Sequence, residues 1–146
     1  MDRPKVLEQV YDIVPEGGGV AIIDNYEPNK QLTPWEEQLN DVITRWYGTE
    51  RRAGKTTYHH PTVDHEEVIA QSKFDVEVHS LPPFDVTWTI ESILGNLYST
   101  SYGSKRFLGD HIAAFEHDLS NALLAIQPDG VFQEEWNVTV KLGIKR

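Results

Sequence analysis

The sequence contains no cysteine. That absence excludes disulfide scaffolds, zinc ribbons and thiol nucleophiles, and it fits a reducing, cytoplasmic compartment. Basic residues are scarce, with 13 Lys and Arg against 23 Asp and Glu, for a formal net charge of −10. Phosphate binding needs clustered cations, so this balance argues against nucleic acid and anionic membrane as partners. Lys105-Arg106 is only a basic pair, with Asp110 close by, and is too little for a nucleic-acid stripe. No apolar run approaches the ~20 residues that span a bilayer. The charged start, Met1 to Lys5, has no apolar stretch behind it and does not read as a signal peptide. Asn137-Val138-Thr139 matches a glycosylation sequon, which has no meaning in an unsecreted chain. Internal repeats, low-complexity tracts and a dividing linker are also lacking.

What is present suits one soluble globular domain over residues 1–146, with 39% hydrophobic and 25% charged residues. Val6, Leu7, Val10, Ile13 and Val14 recur at helical spacing, which predicts a short helix from Pro4 to Val14. Pro15 to Gly19 stops it, and Val20-Ala21-Ile22-Ile23 follows as an apolar run. Such a run suits a strand covered on both faces. Thr33-Pro34-Trp35-Glu36 carries the cap, first-turn proline and capping-box glutamate of a helix start. The helix continues with Leu39, Val42, Ile43 and Trp46 on one stripe.

Tyr47 to Pro61 reads as a long polar loop, and Asp64 opens a short helix through Val68 and Ile69. Phe74, Val76 and Val78 alternate with acidic residues as in a half-buried strand, which Leu81-Pro82-Pro83-Phe84 breaks. Thr89 caps a helix carrying Ile90, Ile93, Leu94 and Leu97. After a Ser/Gly-rich hinge, Leu108, Ile112, Phe115, Leu119, Leu123 and Ile126 share one face of the longest helix. Pro128-Asp129-Gly130 is a turn, and a closing strand alternates from Trp136 through Val138, Val140, Leu142 and Ile144. The pattern is α/β by alternation, with three strands and about five helices.

Three features invite chemistry. Gly17-Gly18-Gly19 suggests a phosphate loop, but such loops follow a strand and open a helix, whereas these glycines follow a helix and open a strand. Among the six histidines the only groupings are His59-His60 with His65 and His111 with His117; neither has the i, i+4 spacing of a zinc helix. No G-x-S-x-G elbow offers a hydrolytic nucleophile. The third feature is aromatic and polar. Asn25 and Tyr26 follow the carboxyl end of the first strand, where open α/β sheets bind ligands. Trp88, Tyr98, Ser99 and Tyr102 lie ahead of the last strand. Trp35 and Trp46 sit on a helix stripe and read as core.

Residues 2–23, from Asp2-Arg3-Pro4-Lys5-Val6-Leu7 to Val14-Pro15-Glu16-Gly17-Gly18-Gly19-Val20-Ala21-Ile22-Ile23, resemble the late helix, Pro-x-Gly-Gly turn and fifth strand of class I S-adenosylmethionine-dependent methyltransferases. The helix from Asp64 to Gln71 with Ser72-Lys73-Phe74 resembles the step into their sixth strand. Trp88-Thr89-Ile90-Glu91 through Leu97-Tyr98-Ser99-Thr100-Ser101 is similar to an insertion of the small-molecule branch, and the strand from Trp136 resembles their seventh, antiparallel strand. The resemblance covers essentially the whole chain.

It implies the C-terminal part of a Rossmann-like sheet, in the order Val20 strand, Trp136 strand, Phe74 strand, with a helical insertion around residues 84–127. It also implies methyl transfer from S-adenosylmethionine to a small molecule, with this chain as the substrate-side half. Asn25, Tyr26, Trp88 and Tyr98 are then the substrate-pocket candidates; no catalytic base and no metal ligand is assigned. The family's cofactor-binding glycine loop and the acidic end of its second strand have no counterpart here. Met1 is accordingly expected to be an internal methionine of a longer reading frame, and the isolated chain to be inactive. The Val20–Ile23 edge, lacking its neighbour, is expected to be covered by a second copy, by a separately made N-terminal half or by rearranged helices. The alternative is a non-catalytic, truncated dimerisation or ligand-binding module.

Overall fold

Helix α1 (Arg3–Ile13) starts where the Asp2 carboxylate accepts the Lys5 amide at 3.1 Å and Pro4 occupies the first turn. The computed structural model describes all of residues 1–146. α1 ends before Pro15, and its last carbonyls are bonded by Lys145, whose Nζ donates to Tyr11 O at 2.8 Å and Val14 O at 2.9 Å. Gly17, at φ +79°, turns the chain into β1 (Gly19–Asp24). There follow α2 (Pro34–Tyr47), β2 (Arg51–Ala53), β3 (Thr56–Tyr58), α3 (His65–Ala70), β4 (Asp75–Ser80), β5 (Phe84–Thr89), α4 (Ile90–Ser99), α5 (Ile112–Ile126), β6 (Val131–Trp136) and β7 (Thr139–Ile144). The architecture is mixed α/β, with five helices and three small sheets, ordered β1-β7-β4, β2-β3 and β5-β6. No helix is long and apolar enough to cross a membrane.

Contacts group the chain into two units, one of Met1–Pro28, Pro61–Phe84 and Glu135–Arg146, the other of Asn29–His60 and Asp85–Glu134. The first holds the three-stranded sheet. β7 runs antiparallel to both neighbours, with Val20 opposite Gly143 and Gly143 opposite Val76. Residues opposite one another share a face. Val20, Ile22 and Val76 therefore lie together and pack with Leu7, Val68, Ile69 and Phe74 under α1 and α3. Glycine suits position 143, because a Cβ would lie 3.0 Å from Val20 and 3.1 Å from both Ile69 and Phe74 and would press on all three. On the same face buried Lys141 bonds Asp24 at 3.2 Å and Asp64, the N-cap of α3, at 3.1 Å. Burial works to lower the Lys141 pKa, but the two carboxylates outweigh it and hold the value above the ordinary one.

The other face of that sheet carries Ala21, Ile23, Val140, Leu142 and Ile144, which join neither hydrophobic core. Ile23 is 65% exposed. The apolar run at Val20 thus does not mark a strand covered on both faces, because the helices of this unit pack on one face only.

The second unit has a closed core. Trp35, Val42, Ile43 and Tyr47 of α2 meet Phe115, Leu119 and Leu123 of α5, Ile93 and Leu97 of α4, and Phe132 of β6. Each fully buried apolar side chain contributes about 1.5–3 kcal/mol relative to exposure. Phe115 makes T-shaped contacts with Trp46 and Tyr47, at centroid distances of 6.0 and 5.5 Å.

The structure corrects the sequence expectation at four places. There are seven strands rather than three. The middle strand of the first sheet is β7, starting at Thr139; Trp136 ends β6, whose partner is β5. The region from residue 84 begins with strand β5 before any helix, because Phe84, Val86 and Trp88 alternate with polar residues. The loop after Tyr47 contains the β2-β3 hairpin, closed by a two-residue turn with Gly54 first at φ +64°. The longest helix begins at Ile112 rather than Leu108, since Gly109 at φ +56° interrupts it and leaves short 3₁₀ turns before it.

Candidate functional site

The start of α2 builds one wall of a cavity of about 360 Å³ that lies entirely within the second unit. Thr33 donates its backbone N–H and its hydroxyl to Glu36 Oε2, at 2.9 and 2.7 Å, so the first turn fixes the Glu36 carboxylate. Glu36 Oε1 accepts from Lys30 Nζ at 2.8 Å, and Lys30 also donates to Glu134 Oε1 at 2.8 Å. Glu134 Oε2 accepts the Trp88 indole N–H at 2.8 Å. Beside it, the Trp35 indole donates to Gln133 O at 3.0 Å. One ammonium thus serves two carboxylates, and every carboxylate oxygen of the cluster has a donor from the chain.

The electrostatics follow from that arrangement. Burial pushes the Glu36 carboxyl upward, but the hydrogen bonds from Lys30 and Thr33 together hold its pKa below the ordinary value. Burial pulls the Lys30 ammonium down, and the bonds to Glu134 and Glu36 raise it above its ordinary value. The cluster carries one positive and two negative charges, all engaged.

Arg51, from β2, is the other charged residue of the cavity wall. Its guanidinium lies 5.9 Å from the centre of the Tyr102 ring, and its Nη1 is buried without a hydrogen-bond partner. Leu39, Ile43, Ile93 and Leu97 supply apolar wall, and Asn40, Asn96 and Thr100 supply neutral polar groups. The arrangement can enclose a small molecule with an apolar body and offer it a cation. It contains no nucleophile paired with a base.

Of the four residues chosen from sequence, only Trp88 lines this cavity. Tyr98 turns to α5, where its hydroxyl donates to Glu116 at 2.9 Å; burial, and then the Glu116 carboxylate, raise its pKa. Asn25 and Tyr26 follow β1 in the other unit and are exposed, Tyr26 at 52%. Sequence reasoning missed Lys30, Arg51 and Glu134 and took Glu36 for a cap alone. Lys30 did carry a signal, as the sole basic residue between Lys5 and Arg45.

The glycine segment is committed to the fold. Gly17 donates to Lys145 O, and Lys145 donates back to Gly18 O, both at 2.8 Å. These amides cannot cradle a cofactor, and no glycine-rich strand-to-helix loop occurs elsewhere, so the residues present do not fit S-adenosylmethionine. No group of three His, Asp or Glu side chains is placed to hold a metal ion. The histidines have local partners instead: His117 meets Asn121 at 2.9 Å, His79 meets Glu77 at 3.3 Å, and His60 meets Tyr58 at 3.3 Å.

A second hollow, of about 260 Å³, lies in the first unit and is lined mainly by Val6, Leu7, Val10, Val20, Ile22 and Val68. It offers apolar contact and little to orient a ligand.

No protein-family model matches this sequence, and no curated protein matches it either.

Proposed function

We propose that this chain is the substrate-side part of an S-adenosylmethionine-dependent methyltransferase of small molecules, with the cavity beside Trp88 as its substrate pocket. The observation that carries the reading is the sheet order β1-β7-β4, in which the last strand of the chain lies reversed between two strands made earlier. That order accords with the end of a Rossmann-like methyltransferase sheet, to which the segments around Gly17, Phe74 and Trp88 bear their resemblance. The cavity supports it by size, falling in the range of about 300–1,000 Å³ usual for small-molecule sites.

The cofactor, when bound to a complete enzyme, supplies an activated methyl group. The residues of this chain do the positioning. Trp35 and Trp88 are held by their indole hydrogen bonds, so they present fixed aromatic walls that exclude water and orient a substrate. No side chain here is assigned as a base. The cofactor contacts belong to a partner: the free edge of β1 and the apolar face at Ala21 and Ile23 are where a separately made N-terminal half, or a second copy, completes the sheet. The compartment is the cytoplasm.

Two measurements test this. Calorimetry of the isolated chain is expected to show no S-adenosylmethionine binding tighter than about 1 mM; micromolar affinity would overturn the division of labour. Light scattering of the isolated chain is expected to show self-association through the free β1 edge. A stable monomer would favour the second reading, a non-catalytic ligand-binding module, which the cavity also suits.

A further inference from the structure

Among the charged groups of the 360 Å³ cavity, one stands apart. Lys30, Glu36 and Glu134 satisfy one another, and the last carboxylate oxygen is taken by Trp88. A cluster of that kind holds walls in place, and its ammonium is already charge-balanced by two carboxylates. Arg51 is different, because its Nη1 is buried and makes no hydrogen bond. A buried cationic donor left unpaired costs more than a neutral one, so such groups are normally satisfied by a partner. The Tyr102 ring, 5.9 Å from the guanidinium, attracts the charge but gives Nη1 no oxygen acceptor.

We propose that Arg51 receives the carboxylate of a small, flat, monoanionic ligand whose body lies against Trp35 and Trp88. Three observations select this chemistry. A guanidinium fork matches the plane and spacing of a carboxylate. The rest of the wall combines aromatic rings with Leu39, Ile43, Ile93 and Leu97, which favours an apolar body over a sugar or a polyamine. A dianionic phosphate is disfavoured, because the Lys30 cluster in the same cavity bears a net negative charge and the chain as a whole carries −10.

The proposal names the substrate class of the pocket and rests on reading that cavity as the binding site. Its test is independent of methyl transfer, because it needs neither cofactor nor turnover. Benzoate, benzamide and phenyl phosphate serve as probes, titrated at neutral pH while the four indole N–H signals are followed by two-dimensional NMR. Trp35 and Trp88 line the cavity, and Trp46 and Trp136 do not, so the chain carries its own control.

Benzoate is expected to shift the Trp35 and Trp88 signals saturably, with Kd on the order of 1 mM for so small a ligand. Benzamide and phenyl phosphate should bind at least about tenfold more weakly. Arg51→Met should weaken benzoate by about tenfold or more, and Arg51→Lys by less, since it keeps the charge and loses the fork.

Equal binding of benzamide and benzoate would overturn the proposal. So would undiminished benzoate binding to folded Arg51→Met, shifts shared equally by Trp46 and Trp136, or no shift at about 20 mM benzoate. If Arg51→Met fails to fold, the benzoate-to-benzamide ratio on the unaltered chain decides. Benzoate binding alongside a failed methyltransferase test would leave this inference standing and remove only the reaction.

Discussion

The two units of this chain bury apolar surface in different ways. In the second, side chains of α2, α4, α5 and β6 close around Phe115, Leu119, Leu123 and Phe132, each at most 1% exposed. In the first, Leu7, Val68, Ile69 and Phe74 fill one side of the three-stranded sheet, while the side bearing Ala21 and Ile23 joins no core. The second unit contains within itself what its aromatic residues pack against. The first has a sheet whose strand β1 is apolar on both faces, while its helices cover only one. That difference locates the unmet packing of the molecule at β1 and its register partners, and leaves the cavity in the unit better able to hold walls rigidly.

The comparison can be broken most forcefully at Phe115. Phe115→Ala should cost about 3–5 kcal/mol in urea denaturation, because the closed core has no slack to refill the space; a loss below about 1 kcal/mol would mean that this core is not the better packed one. Next comes Gly143→Val, which crowds Val20, Ile69 and Phe74 on the covered side of the sheet. It should destabilise by about 1–3 kcal/mol through overpacking.

A smaller effect is expected at Glu36. Its folded pKa lies below the ordinary value, so the stability it contributes is complete above the unfolded-state pKa and is lost as the pH falls through the folded one. Glu36→Gln should therefore lower stability at neutral pH by about 1–2 kcal/mol and flatten the acid limb of the stability profile. An unchanged acid limb would remove Glu36 from that account. The smallest change in stability belongs to Ile23→Lys, on the face without a core, at within about 0.5 kcal/mol. Its readout is light scattering: the added charge should reduce self-association, and a variant as associated as the parent would show that this face is not the sticky one.

The helix starts were legible because their signals are local. Thr33, Pro34 and Glu36 stand within four positions, and the hydroxyl and amide of Thr33 meet the Glu36 carboxylate as that spacing requires. Asp64 and Thr89 cap α3 and α4 for the same reason. The break between β6 and β7 was hidden, since alternation runs in phase through Trp136, Val138, Val140 and Leu142 and gives no sign that Asn137 and Val138 leave the ladder. The β2-β3 hairpin was illegible in another way: three-residue strands such as Arg51–Ala53 are too short to show a period.

The cavity lies furthest from local pattern. Lys30 and Glu134 are 104 positions apart, and Trp88 reaches Glu134 across 46. Of the aromatic residues singled out as pocket candidates from sequence, Trp88 reaches the cavity wall and Tyr98 does not. The charges that define the pocket come together only through the tertiary fold.

Strand β7 has one consequence for how the protein is made. It is the middle strand of its sheet and the last strand to be synthesised, and β1 and β4 are joined only through it. On the ribosome, both outer strands must wait as unpaired segments of the nascent chain until residue 144 emerges. Residues 29–60 and 85–134 can meanwhile begin to assemble their own core. During elongation the sticky species is therefore a chain with a folded centre and two open strands, and it is at this stage that a chaperone has most to protect.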